Sequence, residues 1–139
     1  MPTHQDRISL STNGQGDMHD LTDAVTTVVQ ASGLTAGLVH VHNVGSTGAV
    51  GTIEFEPGLQ QDLPELLDEL FPPDREYAHE QRWQDENGHS HLQATTLSPS
   101  ITVPVEDGAP ILGTWQQIFH LECDTKPRER TVVVTVRGD

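Results

Sequence analysis

The stretch that decides the fold is residues 100–137, SITVPVEDGAPILGTWQQIFHLECDTKPRERTVVVTVR. Three segments of it, 100–105, 114–123 and 131–137, are rich in β-branched and aromatic residues or alternate apolar with polar positions. Segments that contain glycine, proline or charged residues separate them, as is typical of strands joined by turns. The pattern predicts three consecutive strands in the second half of the chain.

The first half adds helices to these strands. Apolar residues from Leu21 to Val29 are spaced as on one face of a helix, and a second such stripe predicts a helix over 60–71. Further strands are predicted at 7–12, 37–44 and 49–56. Helices that come early and strands that dominate later predict an α+β fold. We expect a single compact domain, residues 1–139, with a largely antiparallel sheet or sandwich and two main helices.

Composition and charge limit the classes of function. The 139 residues include 7 Lys and Arg against 21 Asp and Glu, a net charge of −14. Nucleic acids and anionic membranes attract positive surfaces, so neither is expected as a partner. No apolar run approaches the roughly 18 residues that cross a bilayer, and no secretory signal pattern opens the chain. Cys123 is the only cysteine, so we expect a cytoplasmic protein without an intrachain disulfide.

The densest polar cluster begins in residues 74–90, which lack a hydrophobic period and are predicted to form a loop. Its imidazoles and carboxylates could converge on a cation, since both are ordinary ligands of zinc and similar divalent ions. In an extended segment, side chains two apart point the same way, which would make His89 and His91 a chelating pair. A solvated loop whose histidines cap turns is the alternative. The cluster comprises His79, Asp85, Glu86, Asn87, His89 and His91.

Two weaker patterns lie on or between the predicted strands. His40 and His42 share one face of the strand at 37–44, where histidines at the surface or core edge are more common than ligands. The segment Gly45-Ser46-Thr47-Gly48 could present backbone N–H groups to an anion. It could equally be a tight hairpin turn.

The strand at 114–123 carries a polar face formed by Gln116, His120 and Glu122. Such a face belongs either to a site or interface, or to an ordinary half-exposed sheet. Cys123 lies on the opposite, apolar side, so burial is expected rather than reactivity. The sequence contains no P-loop, no dinucleotide-binding glycine pattern and no nucleophile elbow.

Several motifs, spread over nearly the whole chain from Arg7 to Asp139, occur together in one family. They are GSTGA at 45–49, IEFEPGL at 53–59, YAH at 77–79, NGHSHL at 87–92, PSITVPV at 99–105, LGTWQQ at 112–117 and RERTVVV at 128–134. The block at 112–117 is the most specific. By these motifs the chain resembles the YjbQ-like family, which is associated with a secondary thiamine-phosphate synthase activity.

The resemblance implies a compact α+β subunit that assembles as a homotrimer, with clefts near the subunit boundaries. It suggests a divalent cation or a bound anion in such a cleft. The recurring polar residues of the family correspond to His79, Asp85, Asn87 and His91, with Glu54, Gln116 and Glu122 nearby.

One departure from the family pattern concerns an imidazole. Many relatives carry His-Thr-Thr or His-Thr-Ser where this chain has Gly45-Ser46-Thr47. Many of them also have a small residue where this chain has His89. We therefore expect His89 to supply the missing ligand or hydrogen bond.

The implied reaction joins a pyrimidine diphosphate to a thiazole phosphate and releases pyrophosphate. A leaving diphosphate needs positive charge, and with only seven basic residues a divalent metal is favoured over an arginine clamp. Zinc, magnesium and manganese are not distinguished. In this interpretation the catalytic groups are His79, Asp85 and Glu122, the metal ligands are His79, His89 and His91, and the phosphate contacts are Ser46, Thr47, Asn87 and Gln116.

The alternative is a homotrimer that binds a metal or a small anion without catalysis. The same histidines would then be closed structural ligands, with no open coordination position. A protein-interaction module that uses an acidic face ranks last, because the sequence shows no obvious peptide groove.

Overall fold

Eight strands and four helices make up the part of the chain that this computed structural model describes, residues 1–83 and 86–139. The strands are β1 (Thr3–Ser11), β2 (Met18–Asp20), β3 (Ala36–Val44), β4 (Gly48–Ile53), β5 (Ser100–Glu106), β6 (Ala109–Pro110), β7 (Gln117–Glu122) and β8 (Glu129–Gly138). The helices are α1 (Thr22–Ser32), α2 (Pro57–Leu70), α3 (Ala78–Trp83) and α4 (Gly88–Leu97).

The strands form two antiparallel sheets. The larger has the order β1-β8-β3-β5-β6 and the smaller has the order β2-β7-β4. Each pair of neighbouring strands is antiparallel. The predicted α+β class with antiparallel sheets is therefore confirmed.

Two apolar clusters lie on opposite faces of the smaller sheet. The first packs that sheet and α1 against the larger sheet, and its members include Val25, Val39, Val50, Ile118, Val134 and Val136. The second packs the other face against α2 and α4, and its members include Ala49, Leu67, Ala94, Phe119, Leu121 and Cys123. Cys123 is buried as expected, and burial raises the pKa of its thiol to about 12.

Because both faces of the smaller sheet are covered, β7 differs from the prediction. His120 and Glu122 are fully buried rather than half-exposed, since they point towards the larger sheet together with Ile118. The strand also begins at Gln117 instead of residue 114. Trp115 precedes it and is 71% exposed.

The two predicted helices are present as α1 and α2. Gly33 ends α1 in the left-handed conformation (φ 71°) that glycine adopts without steric cost. α2 begins at Pro57 rather than residue 60, because the Glu56 carboxylate accepts hydrogen bonds from the backbone N–H groups of Gly58 and Leu59, at 2.8 and 2.5 Å.

The prediction of a loop over 74–90 is wrong, because this region contains α3 and the start of α4. The Glu80 carboxylate in α3 accepts hydrogen bonds from two backbone N–H groups, that of Tyr77 just before α3, at 3.1 Å, and that of Gly88 at the start of α4, at 2.5 Å. These bonds connect the two helices. The buried positions of α4 are mostly small or polar, so the sequence shows no apolar stripe that would predict this helix. They are Gly88, His89, Ser90, Gln93 and Ala94.

The segment 45–47 does not form a hairpin, since the strands on either side of it, β3 and β4, belong to different sheets. It carries the chain from the larger sheet to the smaller one. No helix within the described ranges is long and apolar enough to cross a bilayer.

Candidate functional site

The crossing at residues 45–47 is fixed by a buried amide. Asn43 Nδ2 donates hydrogen bonds to the carbonyl oxygens of Gly45 and Gly48, at 3.2 and 3.4 Å. Its Oδ1 accepts one from His120 Nε2 at 2.9 Å. Gly45 has a φ of +132°, and a Cβ added there would lie 2.8 Å from Arg130 Nη1. A residue with a side chain at position 45 would therefore be strained and would push against the arginine.

Arg130 and Glu122 form a buried ion pair beside this crossing. Arg130 Nε donates to Glu122 Oε1 at 2.8 Å, and its Nη2 donates to Glu122 Oε2 and, at 2.8 Å, to Thr47 Oγ1. Glu122 also accepts hydrogen bonds from the Thr12 hydroxyl, at 2.7 Å, and from the backbone N–H of Asp124, at 3.0 Å. Both carboxylate oxygens of Glu122 are thus occupied within the protein.

A second pair, Arg128 and Asp124, lies next to the first. Asp124 Oδ2 accepts hydrogen bonds from Arg128 Nε and Nη2, at 3.1 and 2.8 Å, and from the Thr47 hydroxyl, at 2.9 Å. Burial alone would raise the pKa of Asp124, but the hydrogen bonds from Thr47 and Arg128 outweigh it and lower the pKa. Asp124 is therefore ionised at neutral pH, while 43% of the Arg128 side chain remains exposed.

These groups border a cavity of about 330 Å³, which we call the turn–arginine cavity. Segments that are far apart in the sequence meet in its wall. The wall includes Ser46, Thr47, Asn87, His91, Arg128 and Arg130. Each arginine is held in place by a carboxylate, so its guanidinium donors have a fixed direction.

His91, which lines the turn–arginine cavity, packs against a second histidine, His79. His79 Nε2 donates a hydrogen bond to Asn87 Oδ1 at 2.9 Å. The ring centroids of His79 and His91 are 4.6 Å apart, with the planes tilted by 55°. His91 also borders a second cavity of about 320 Å³, whose other walls include Tyr77, His79 and Leu92. We call it the histidine cavity, and it shares the His91 ring with the turn–arginine cavity.

His89 is not part of this group, which corrects the prediction that it and His91 point the same way. Both residues lie on α4, and a helix turns by about 100° per residue, so side chains two apart diverge by about 200°. His89 Nε2 instead approaches Gln15 Oε1 at 3.1 Å. His89 lines a third cavity, apart from Ser46 and Thr47, so it does not replace an imidazole at position 45.

The predicted metal ligands His79, His89 and His91 therefore do not converge. Among residues 1–83 and 86–139, no group of three His, Cys, Asp or Glu side chains could hold a metal ion. Asp85, a predicted catalytic and metal-site residue, lies outside the described residues. A bound divalent metal remains a prediction.

Two other predicted groups lie away from both cavities. Gln116, predicted to contact phosphate, is exposed and donates a hydrogen bond to Thr52 Oγ1 at 3.1 Å. His40 and His42 stack with a centroid distance of 6.3 Å, and His40 Nδ1 hydrogen bonds with Thr102 Oγ1 at 2.9 Å across β3 and β5. Neither group belongs to the candidate site.

Asp124, Arg128 and Arg130 were not among the predicted site residues. A signal for them exists in the sequence: three of the seven basic residues fall within 126–130, KPRER, in an otherwise acidic chain. The sequence pattern predicts this segment only as the connection between the strands at 114–123 and 131–137.

Comparisons with known proteins agree with this architecture. Residues 6–139 match the protein family described as UPF0047 protein YjbQ-like. A UPF0047 protein of Methanothermobacter thermautotrophicus is 37% identical over 138 residues, covering 99% of this chain and 94% of the relative. One of Archaeoglobus fulgidus is 39% identical over 127 residues, covering 91% of this chain and 96% of the relative.

Two solved structures superpose on nearly the whole chain. The crystal structure of a YbjQ-like protein of unknown function from Sulfolobus solfataricus superposes with a TM-score of 0.94 at 35% identity, covering 99% of both chains. A hypothetical protein from Aeropyrum pernix gives a TM-score of 0.88 at 35% identity, covering 100% of both chains. The chain therefore belongs to the YjbQ-like UPF0047 family.

Proposed function

We propose that the turn–arginine cavity binds the phosphate or diphosphate group of a small phosphorylated molecule. The observation that carries this proposal is the convergence of Arg128, Arg130 and the Ser46-Thr47 turn on one cavity. In a chain with a net charge of −14, two of only seven basic side chains meet there.

The chemistry of the cavity suits an anion. Each arginine donates from Nε and Nη2 to its carboxylate, which fixes the guanidinium and leaves the N–H groups of Nη1 as the donors that could reach phosphate oxygens. Asn87 occupies the N-cap position of α4 and also lines the cavity, so the positive end of the helix dipole lies at the cavity wall. Asp124 and Glu122 balance the two arginine charges, so binding depends on these directed donors rather than on a large net charge.

The reaction that we propose is the thiamine-phosphate synthase-type transfer suggested by the family resemblance. The bond between the pyrimidine methylene carbon and the diphosphate oxygen breaks, and pyrophosphate leaves with the electron pair. A bond from the thiazole nitrogen to that carbon replaces it. Arg128 and the Ser46-Thr47 turn would stabilise the charge on the leaving group.

The structure changes the role proposed for Glu122. It is fully buried and accepts four hydrogen bonds, from Thr12, Asp124 and two atoms of Arg130. We therefore propose that Glu122 positions Arg130 and does not transfer protons. His79 remains the proposed acid or base, because its ring borders the histidine cavity and contacts Asn87.

A divalent metal is a separate proposal. His79 and His91 supply two imidazoles, whereas catalytic zinc usually has three protein ligands. A complete set would need a further group such as Asp85. Titration of the metal-free protein with zinc, magnesium and manganese, followed by calorimetry, tests this, and a lack of binding by all three would reject it.

Anion or metal binding without catalysis in a homotrimer is the second candidate. Exposed apolar side chains support subunit contacts, because Trp115 and Ile111 are 71% and 50% exposed. Light scattering would show a particle of three 15.2 kDa chains if this is correct. A monomer would contradict it.

Calorimetric titration with inorganic pyrophosphate tests the proposed function. Arg128→Gln should weaken binding at least tenfold, since the charge-assisted donors are lost, while the glutamine amide can still donate a hydrogen bond to the buried Asp124 carboxylate. Arg137→Gln is the matched control, because Arg137 is exposed at the far end of the same strand, β8. Equal affinities in the two variants would contradict the proposal. Formation of thiamine phosphate from the two substrates then tests the reaction itself.

A further inference from the structure

His40 and His42 lie outside both cavities of the candidate site, on the outer face of the larger sheet. Both belong to β3, where side chains two apart point to the same face. Val41, between them, points the other way and packs in the first apolar cluster. Leu38 and Val44, at the two ends of the outer face of β3, are 51% and 52% exposed. The two imidazoles are therefore neighbours on an open surface.

Three of the four nitrogens in these rings make no hydrogen bond within the described residues. The fourth, His40 Nδ1, lies 2.9 Å from Thr102 Oγ1 on β5. His40 is exposed, and the nitrogens of the half-buried His42 are not sealed from solvent. When His40 Nδ1 donates its proton to the Thr102 hydroxyl, His40 Nε2 presents a lone pair. Metal-binding histidines are commonly held in this way, by a hydrogen bond from the nitrogen that does not bind the metal.

The distance between the two rings suits one shared ion. Their centroids are 6.3 Å apart, and their planes differ by 17°. With metal–nitrogen bonds of about 2.0–2.1 Å, two imidazoles on one zinc ion have their centroids about 5–6 Å apart. Nearly parallel rings must turn before both lone pairs meet at one point. His42 can do this, because the second side-chain torsion of histidine has broad minima and its nitrogens hold no hydrogen bond within residues 1–83 and 86–139.

The neighbouring strands do not engage the two rings in ion pairs. The residues directly across from them are uncharged, and they are Thr102 and Ser100 on β5 and Thr135 and Val133 on β8. The chain as a whole carries a net charge of −14, which favours the approach of a cation. The pair of imidazoles is thus available to an ion from solvent.

We propose that His40 and His42 together bind one divalent transition-metal ion of the zinc and copper class. These ions accept imidazole nitrogen as a ligand, whereas magnesium and calcium prefer oxygen. His40 Nε2 and one nitrogen of His42 are the two protein ligands, and water completes the coordination. The site is separate from the metal proposed at His79 and His91, and it does not depend on the proposed function.

Nitrogen NMR of the unsubstituted protein at neutral pH identifies the ligands directly. Zinc chloride is added to the metal-free protein while the imidazole resonances of the eight histidines are followed. Those of His40 and His42 should shift together with the same half-saturating concentration, and magnesium chloride should shift neither. A shift of only one of the two rings, or of neither, would overturn the proposal. Shifts at His79 and His91 report separately on the other metal proposal.

A substitution tests whether the two rings act as a chelate. His42→Phe keeps an aromatic ring on β3 but removes one ligand, so the zinc concentration that half-saturates His40 should rise at least tenfold. The matched control is His19→Phe, which removes a partly exposed histidine from β2 and should leave zinc binding at His40 and His42 unchanged. Unchanged zinc affinity at His40 in His42→Phe would mean an adventitious ion only, held by a single imidazole, and would overturn the proposal.

The outcome stays decisive should His42→Phe fail to fold. The titration of the unsubstituted protein already requires both rings to respond at one zinc concentration, and two different half-saturating concentrations would reject a shared ion. Pyrophosphate affinity should be the same with and without saturating zinc at this pair. Because pyrophosphate binding is measured separately, failure here leaves the proposed function untouched.

Discussion

The space between the two sheets changes character along β7. At Ile118 it is apolar, with Val50 and Val134 in the same cluster. From His120 to Glu122 it is polar and charged, although these residues are as completely buried as Ile118. The two ends of β7 are thus equally buried, one among apolar side chains and the other among hydrogen-bonded and charged groups.

The difference separates stability from function. Apolar contacts are non-directional, so the Ile118 end stabilises the sandwich without fixing any particular donor. Hydrogen bonds are directional, and the His120–Glu122 end uses them to hold Asn43 and Arg130 in place. Those two residues shape the crossing at 45–47 and the turn–arginine cavity. We infer that the polar end is retained for the site it builds.

The largest effect should come from breaking the buried ion pair. Glu122→Ala leaves Arg130 buried without its carboxylate, which should lower the free energy of unfolding by about 3–5 kcal/mol in urea titrations. Glu129→Ala, at an exposed glutamate on β8, is the control and should cost within about 0.5 kcal/mol.

A double substitution sharpens this result. Glu122→Leu combined with Arg130→Met replaces both charges by apolar groups, so stability should return towards that of the unsubstituted protein. Pyrophosphate binding should be weakened in Glu122→Ala, where Arg130 is no longer held in place, and should not recover in the double variant, where Arg130 is absent. Binding that survives the double substitution would contradict the view that this end exists for the site.

The second effect concerns acid stability at His120. Burial lowers the pKa of this imidazole to about 4, from 6.5. Between these values the unfolded chain binds the extra proton, so stability falls as the pH is lowered from 6.5 towards 4. The loss should reach about 3 kcal/mol.

Comparison with His120→Gln isolates this contribution. Glutamine can still donate to Asn43 but does not titrate, and acidic groups such as Asp124 contribute equally to both proteins. Urea titrations at several pH values should show the smaller acid loss in the variant. Parallel pH curves for the two proteins would be inconsistent with a buried neutral imidazole.

A substitution at the apolar end of β7 should change stability less than one at the polar end. Ile118→Val removes one buried methylene, which should lower the free energy of unfolding by about 0.5–1.5 kcal/mol. Pyrophosphate affinity should not change. A loss of binding comparable to that of Arg128→Gln would show that the two ends are not separable.

The smallest effect should be seen at Cys123, on the opposite face from Glu122. Because burial raises the pKa of its thiol to about 12, almost no thiolate forms at neutral pH. A disulfide reagent should react with it only after denaturation. Rapid reaction in the native protein would mean that this layer opens readily.

Much of the fold was predictable because several helices and strands bury only one face. The helix α1 and the strands β3 and β5 bury one apolar stripe or face each, and the sequence shows that periodicity directly. β7 is buried on both faces, so the alternation of polar and apolar residues wrongly predicted that its polar face is half-exposed. α4 buries Gly88, His89 and Ser90, which no hydrophobic count detects.

The site was only partly predictable for a related reason. Ser46, Thr47, Asn87 and His91 were identified from residue type and resemblance, and they line the turn–arginine cavity. Arg128 and Arg130 were not identified, because their place in the site depends on Asp124 and Glu122, which position them from a turn and from another strand. Local sequence does not show whether a charge is buried and paired.

The most direct test of the central claim is a crystal structure of the protein grown with pyrophosphate. The anion is expected in the turn–arginine cavity, with oxygens within about 2.7–3.2 Å of Arg128 and of donors in the Ser46-Thr47 turn. Pyrophosphate bound elsewhere, or absent from this cavity at saturating concentration, would contradict the account.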